Sequence, residues 1–256
     1  MSTWDLVVSF DFDAEEVWIG EDPANARKPG TLSQGAYGAK VAVPLILDVL
    51  RRLEISASFF VPGRVAERYP HRVEEILAAG HEVGHHGYTH TSPLSLTPEQ
   101  EEAELVRGRE VLVGLGAEVR GYRSPSWELS PVTLSLLEGH GFAYSSNLMD
   151  DVHPYRHPGH AIVELPVHWT LDDAPHFWFD LRSWNKTIRS AAEVRAIWEE
   201  EVAGIAALGG LAMLTMHPQI IGRPGRVQML EMFLGWARDQ PGVRISTAVE
   251  VAARQP

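Results

Sequence analysis

The chain has 256 residues, 45% of them hydrophobic, which is enough for a sizeable core, and its formal charge is −12 at pH 7. That acidic balance argues against nucleic acid and anionic membranes as partners, and leaves neutral small molecules and sugars open. With no cysteine, disulfide scaffolds, thiolate metal sites and cysteine nucleophiles are excluded.

Met1 to Asp5 carries no basic region, and the apolar run Leu6 to Phe10 is cut short by Asp11. No secretory signal is read, and the expected location is cytoplasmic. Leu6 to Phe10 is the first predicted strand. Ala14 to Lys40 follows, rich in Gly, Pro and charge and without a period; a loop of that length is read as a lid or wall of a site. The pattern then predicts a helix over 41–53, a strand over 55–61, a helix over 64–79 stopped by Gly80, and a short strand at 81–84. Thr97-Pro98-Glu99-Gln100 is a capping box that opens a helix to about Leu115. Strands at 119–122, 142–144 and 162–166 flank a helix that Ser130-Pro131 caps. The irregular stretches 147–161 and 169–190 hold Trp169, Phe177, Trp178, Phe179 and Trp184, read as cleft lining or a subunit contact. Ser190-Ala191-Ala192-Glu193 opens a long helix to Leu208. A buried strand over 211–215, a helix over 226–239, a strand over 243–246 and a helix over 247–254 complete the chain. The longest weakly polar stretch, Gly204 to Met216, is too short to span a bilayer.

Strands alternating with helices imply an α/β fold with a parallel sheet. Seven or eight units over residues 1–256 fit one barrel domain. An open doubly wound sheet usually has a glycine-rich first turn. Here that turn is Asp11-Phe12-Asp13-Ala14-Glu15-Glu16, which repels phosphate, so the barrel is favoured.

The chemistry-bearing residues all follow predicted strands: Asp11 and Asp13, His86 and His90, Arg123, and His217. In a parallel barrel such positions gather at one face. Two imidazoles four apart plus one carboxylate make a three-ligand divalent metal site with room for water. Gly87 makes an uninterrupted helix between the histidines unfavourable. The Glu of the His-Glu-x-x-His zinc motif is absent, so a base must come from elsewhere, and Asp11 is nearest. Alternation places Asp11 and Asp13 on one side of an extended chain. His217, before Pro218, offers a proton donor, and His85 is read as structural. The set points to metal-assisted hydrolysis of a C–N bond. Two other classes fit the same residues: a non-haem iron oxygenase, and a metal-free binding protein that keeps the shape of the site.

Ser9-Phe10-Asp11-Phe12-Asp13, His86-Gly87-Tyr88-Thr89-His90, Arg123-Ser124-Pro125-Ser126-Trp127 and Leu214-Thr215-Met216-His217-Pro218 occur in the order seen in the polysaccharide deacetylases, carbohydrate esterases related to nodulation-factor deacetylase. The chain resembles that family over most of its length. The resemblance implies a distorted (β/α)7–8 barrel and hydrolysis of N-acetyl groups with a divalent metal, usually zinc. It further implies Asp13, His86 and His90 as ligands, Asp11 as base, His217 as acid, and Arg123 as the residue that orients Asp11. The family's adjacent acid pair is split here by Phe12. An aspartate partner for His217 is not evident; Asp150, Asp151 and Asp180 are candidates. Residues 145–151 and 164–169 resemble a subgroup of peptidoglycan deacetylase-like proteins, metal-independent allantoinases and cyclic imide hydrolases. That subgroup implies a small cyclic amide or imide as an alternative to an N-acetylated sugar, and a homotetramer.

Overall fold

Every residue of β1 (Trp4–Asp11) is buried, as expected of a strand covered on both faces. Its alternate side chains enter two different cores. Leu6, Val8 and Phe10 join the large cluster beneath the helices, whereas Val7 joins a smaller one with Phe60, Tyr144, Leu165 and Met213. The smaller cluster draws on strands that are not neighbours in the sheet, which requires the sheet to curl around it. The computed structural model describes residues 3–179 and 186–255.

The other strands are β2 (Ser58–Val61), β3 (Glu82–His85), β4 (Gly121–Tyr122), β5 (Tyr144–Ser145), β6 (Tyr155–Arg156), β7 (Val163–Glu164), β8 (Leu211–Met216) and β9 (Val243–Ile245). They form one sheet in the order β6-β7-β5-β4-β3-β2-β1-β8, with β9 also pairing β1. All pairings are parallel except that of β6 with β7. The architecture is a distorted β/α barrel, as expected. Asp172 extends the far edge of β8 by a single parallel bridge to Thr215.

Three sequence expectations change. The helix expected over 64–79 is two, Gly63–Arg68 and Pro70–Ala78, broken at Tyr69; a residue before proline is disfavoured in the helical region. The aperiodic stretch 14–40 contains helices Glu16–Ile19 and Pro29–Tyr37, joined by a 3-10 turn, and runs through a π-turn into the helix Val43–Leu53. The antiparallel β6, only two residues long, was not expected. The capping boxes at Thr97 and Ser190 form as read. Among the described residues no helix is long and apolar enough to cross a membrane.

Candidate active site

Asp11 ends β1 and Asp13 follows it. Ser9 and Asp11 share a face and meet one guanidinium. Arg123 Nη1 lies 2.8 Å from both the Ser9 hydroxyl and Asp11 Oδ1, and its Nη2 donates to Ser146 Oγ at 3.0 Å. The guanidinium is wholly buried and lies 4.1 Å from the Phe60 ring centroid. A buried charge needs such partners. One residue thereby fixes two others: the Arg123 side chain holds Asp11, and its carbonyl accepts from His86 Nδ1 at 2.7 Å. Because a carbonyl only accepts, Nδ1 carries a proton, so in the neutral form of the ring the lone pair is at Nε2.

That lone pair faces Asp13. His86 Nε2 is 3.3 Å and His90 Nε2 3.6 Å from Asp13 Oδ1, and the rings of the two histidines are 5.0 Å apart. The pair sits on a loop rather than a helix, as Gly87 foretold: β3 ends at His85, Gly87 has φ +74° and His90 φ +57°. Glu104, from the helix Pro98–Gly114, ties this loop down by accepting from the amides of Tyr88 and Thr89 at 3.0 and 2.7 Å. On its outer side Gly20 approaches so closely that a Cβ there would lie 2.4 Å from the His90 carbonyl oxygen. The segment after Asp13 is thus a wall of the site. Trp178 stacks on its Trp18, with centroids 5.1 Å apart. Trp184 lies outside the described residues.

Asp13 is fully buried, and neither of its carboxylate oxygens has a hydrogen-bond partner. Burial alone raises its pKa, but His90, His86 and His217 together draw it down to about 2. Burial also drives His90 down to about 4, so that ring is neutral near pH 7. At His86 the cost of burial is outweighed by Asp11 and Asp13, and the shift is upward. An unpaired buried carboxylate facing imidazole nitrogens is the donor set of a divalent cation. Ligands held at about 2.1 Å in a tetrahedron stand roughly 3.4 Å apart, close to the 3.3 and 3.6 Å seen here. Asp13, His86 and His90 therefore fit a metal. His86 has the backbone carbonyl partner that orients a ligating imidazole.

On the opposite side stands His217, at the end of β8. Its Nε2 is 3.9 Å from Asp13 Oδ2, and its Nδ1 donates to Asp173 Oδ1 at 2.7 Å. Asp173 Oδ2 also accepts the His217 backbone N–H at 3.0 Å, and Asp172 Oδ1 is 3.9 Å from Nδ1. Burial disfavours imidazolium at His217, yet Asp173 and Asp172 overcome it and hold the ring well above its usual range. Burial raises both aspartates, Asp172 to about 7. The partner of His217 is therefore neither Asp150 nor Asp151. Asp150 accepts from Tyr155 and Asp151 caps its own turn, both on the surface, and Asp180 lies outside the described residues. The acids Asp172-Asp173 were a visible signal, but they sit within a stretch that reads as irregular. Only the bridge to Thr215 and the Asp173 N–H donated to the Thr215 carbonyl at 3.1 Å bring them to His217. His85 is buried and uninvolved, accepting the Gly87 N–H at 3.1 Å.

The six residues singled out in the sequence thus converge. Residues 35–145 match the polysaccharide deacetylase family. The chain is 30% identical to the peptidoglycan deacetylase of Helicobacter pylori, over 94% of this chain and 92% of that one. A solved structure from Mycobacterium smegmatis, assigned by name to the polysaccharide deacetylases, is 37% identical, with a TM-score of 0.94 over 98% of this chain and 90% of that one. The allantoinase PuuE shares the fold at 20% identity, with a TM-score of 0.85 over 98% and 90% of the two chains. This chain belongs to the polysaccharide deacetylase family, enzymes that hydrolyse carbon–nitrogen bonds other than peptide bonds.

Proposed function

We propose that the protein is a zinc-dependent hydrolase that removes an acetyl group from the nitrogen of an N-acetylated sugar, acting as one catalytic domain over residues 1–256. The observation that carries this reading is the buried, unpaired Asp13 carboxylate faced by two imidazole nitrogens, with an acid and a base on either side. Asp13, His86 and His90 would hold the metal, which would supply a Lewis acid able to polarise an amide carbonyl and acidify water.

The remaining steps belong to side chains of this protein. Asp11 keeps Oδ1 on Arg123, which leaves Oδ2 to take the proton of the attacking water. His217, held as imidazolium by Asp173, gives its Nε2 proton to the departing nitrogen, which is a poor leaving group until protonated. The Asp173 hydrogen bond fixes the ring so that Nε2 faces the reaction centre.

The test is a panel of N-acetylglucosamine oligomers, allantoin, hydantoin and succinimide, assayed with and without chelator. The expected result is release of acetate from the oligomers, abolished by chelation and restored by zinc. Chelator-resistant turnover of allantoin or an imide would instead place the protein with the metal-independent amidohydrolases. Binding without any turnover would leave it a binding protein.

A further inference from the structure

A cavity of about 190 Å³ lies among Trp18, Phe177, Gln219, Arg223 and Arg226. Its walls come from three segments that also carry residues of the proposed centre. Trp18 comes five residues after Asp13, Phe177 four after Asp173, and Gln219 two after His217. The turn that carries Gln219 is pinned to the end of β8, because the amides of Ile220 and Ile221 donate to the His217 carbonyl at 2.7 and 2.9 Å.

Two features of this cavity are unused by the mechanism. The first is charge. Arg223 lies 3.9 Å from the Tyr37 ring centroid, and Arg226 lies 4.3 Å from that of Phe177 while donating to the Ile220 carbonyl. Among the described residues neither arginine forms an ion pair and no carboxylate lines the cavity, in a protein of net charge −12. The second is unmet hydrogen bonding. Gln219 is 4% exposed, and both its amide oxygen and its amide nitrogen lack partners; so does the buried Trp18 Nε1. Buried polar atoms are almost always paired, so several unpaired ones in the walls of one cavity call for a ligand group. Against one unpaired buried acceptor, the Gln219 amide oxygen, the walls set two guanidiniums, an amide N–H and an indole N–H as donors, and the group that meets this excess of donors is an anion with oxygen acceptors.

We infer that this cavity is a subsite for a carboxylate carried by the amide substrate, bound by Arg223 and Gln219. The inference rests on the hydrolase reading above and narrows its substrate to acidic N-acetylated sugars. Arg226 lies near enough to Asp173 for its charge to act on that carboxylate, so Arg223 and Gln219 are the residues to vary.

N-acetylmuramic acid and N-acetylglucosamine share the N-acetyl amide and differ by one lactyl carboxylate, and form the test pair for the zinc-loaded enzyme. The acidic sugar is expected to have the lower KM. Arg223→Gln and Gln219→Leu are each expected to raise that KM about tenfold at unchanged kcat, with the neutral sugar moved less than twofold; Arg223→Lys should retain most of the preference. Equal shifts for both sugars, or none for either, overturn the subsite. Calorimetric binding of N-acetylmuramic acid in an Asp11→Asn background separates this from the hydrolase reading. Arg223-dependent binding in that background, with the unmodified zinc-loaded enzyme turning over neither sugar, keeps the subsite and refutes the N-acetyl-sugar hydrolase. Turnover of both sugars without discrimination refutes the subsite alone.

Discussion

Two clusters of aspartate and histidine face each other across this site, built from the same residue types but wired in opposite ways. In the Asp13–His86–His90 cluster the imidazole Nδ1 of His86 is spent on a backbone carbonyl, which leaves Nε2 as a lone pair beside a carboxylate with no hydrogen bond of its own. In the His217–Asp173–Asp172 cluster Nδ1 is spent on a carboxylate, and both oxygens of Asp173 are satisfied by His217. The first arrangement has acceptors without a donor and suits a cation. The second has a captive positive charge and suits a proton on Nε2. Residue type therefore does not decide role here. What decides it is the partner of the second ring nitrogen, a carbonyl in one case and a carboxylate in the other.

The largest expected effect breaks the first cluster alone. Asp13→Asn should reduce metal from one ion per chain to background by elemental analysis. It should lower kcat/KM by roughly 10⁴-fold or more, since several kcal/mol of Lewis-acid stabilisation disappear. A variant that loses metal yet keeps its turnover would show that the first cluster is not the catalytic one. Next comes the second cluster. His217→Gln should cost about 10²–10⁴-fold in kcat, the usual share of a general acid, while metal content and Tm stay near wild type. Metal loss in His217→Gln would show that the two clusters are not separable.

The smallest effect sharpens the comparison. Asp173→Asn should cost about tenfold to a hundredfold in kcat/KM, as expected for losing a charged hydrogen bond of about 1.5–3 kcal/mol. The sign of its pH dependence follows from the wiring. In the proposed mechanism imidazolium is the active form, so activity is expected to fall as pH rises through the pKa of His217, which Asp173 and Asp172 hold up. Removing Asp173 lowers that pKa, and the alkaline limb of the kcat/KM profile should move to lower pH by about one unit or more. An unmoved limb would mean that another group sets it.

The walls of the two clusters were unequally legible. Asp11, Asp13, His86, His90, Arg123 and His217 can be gathered from the sequence because each sits at or beyond the end of a strand, and a parallel sheet brings strand ends together whatever the intervening loops do. Asp11 and Ser9 on Arg123 follow from the period-two alternation of β1. Asp173 and Glu104 were not legible. Asp173 reaches His217 through one bridge on the sheet edge, and Glu104 reaches the histidine loop from mid-helix, where a glutamate reads as solvent-facing. The segment after Asp13 reads in the sequence as a lid or wall, but its short helices have too few turns to show a period.

From the sequence alone came the strand–helix alternation, the capping boxes, the barrel and the residues able to bind a metal or move a proton, because all of these depend on local period or on position at a strand end. Tertiary structure alone decided which aspartate serves His217, which nitrogen of His86 is free, and that unpaired polar atoms and two arginines share one cavity. Those are pairings between distant segments, set by how loops of unlike length settle over the sheet, and no local pattern encodes where such loops come to rest.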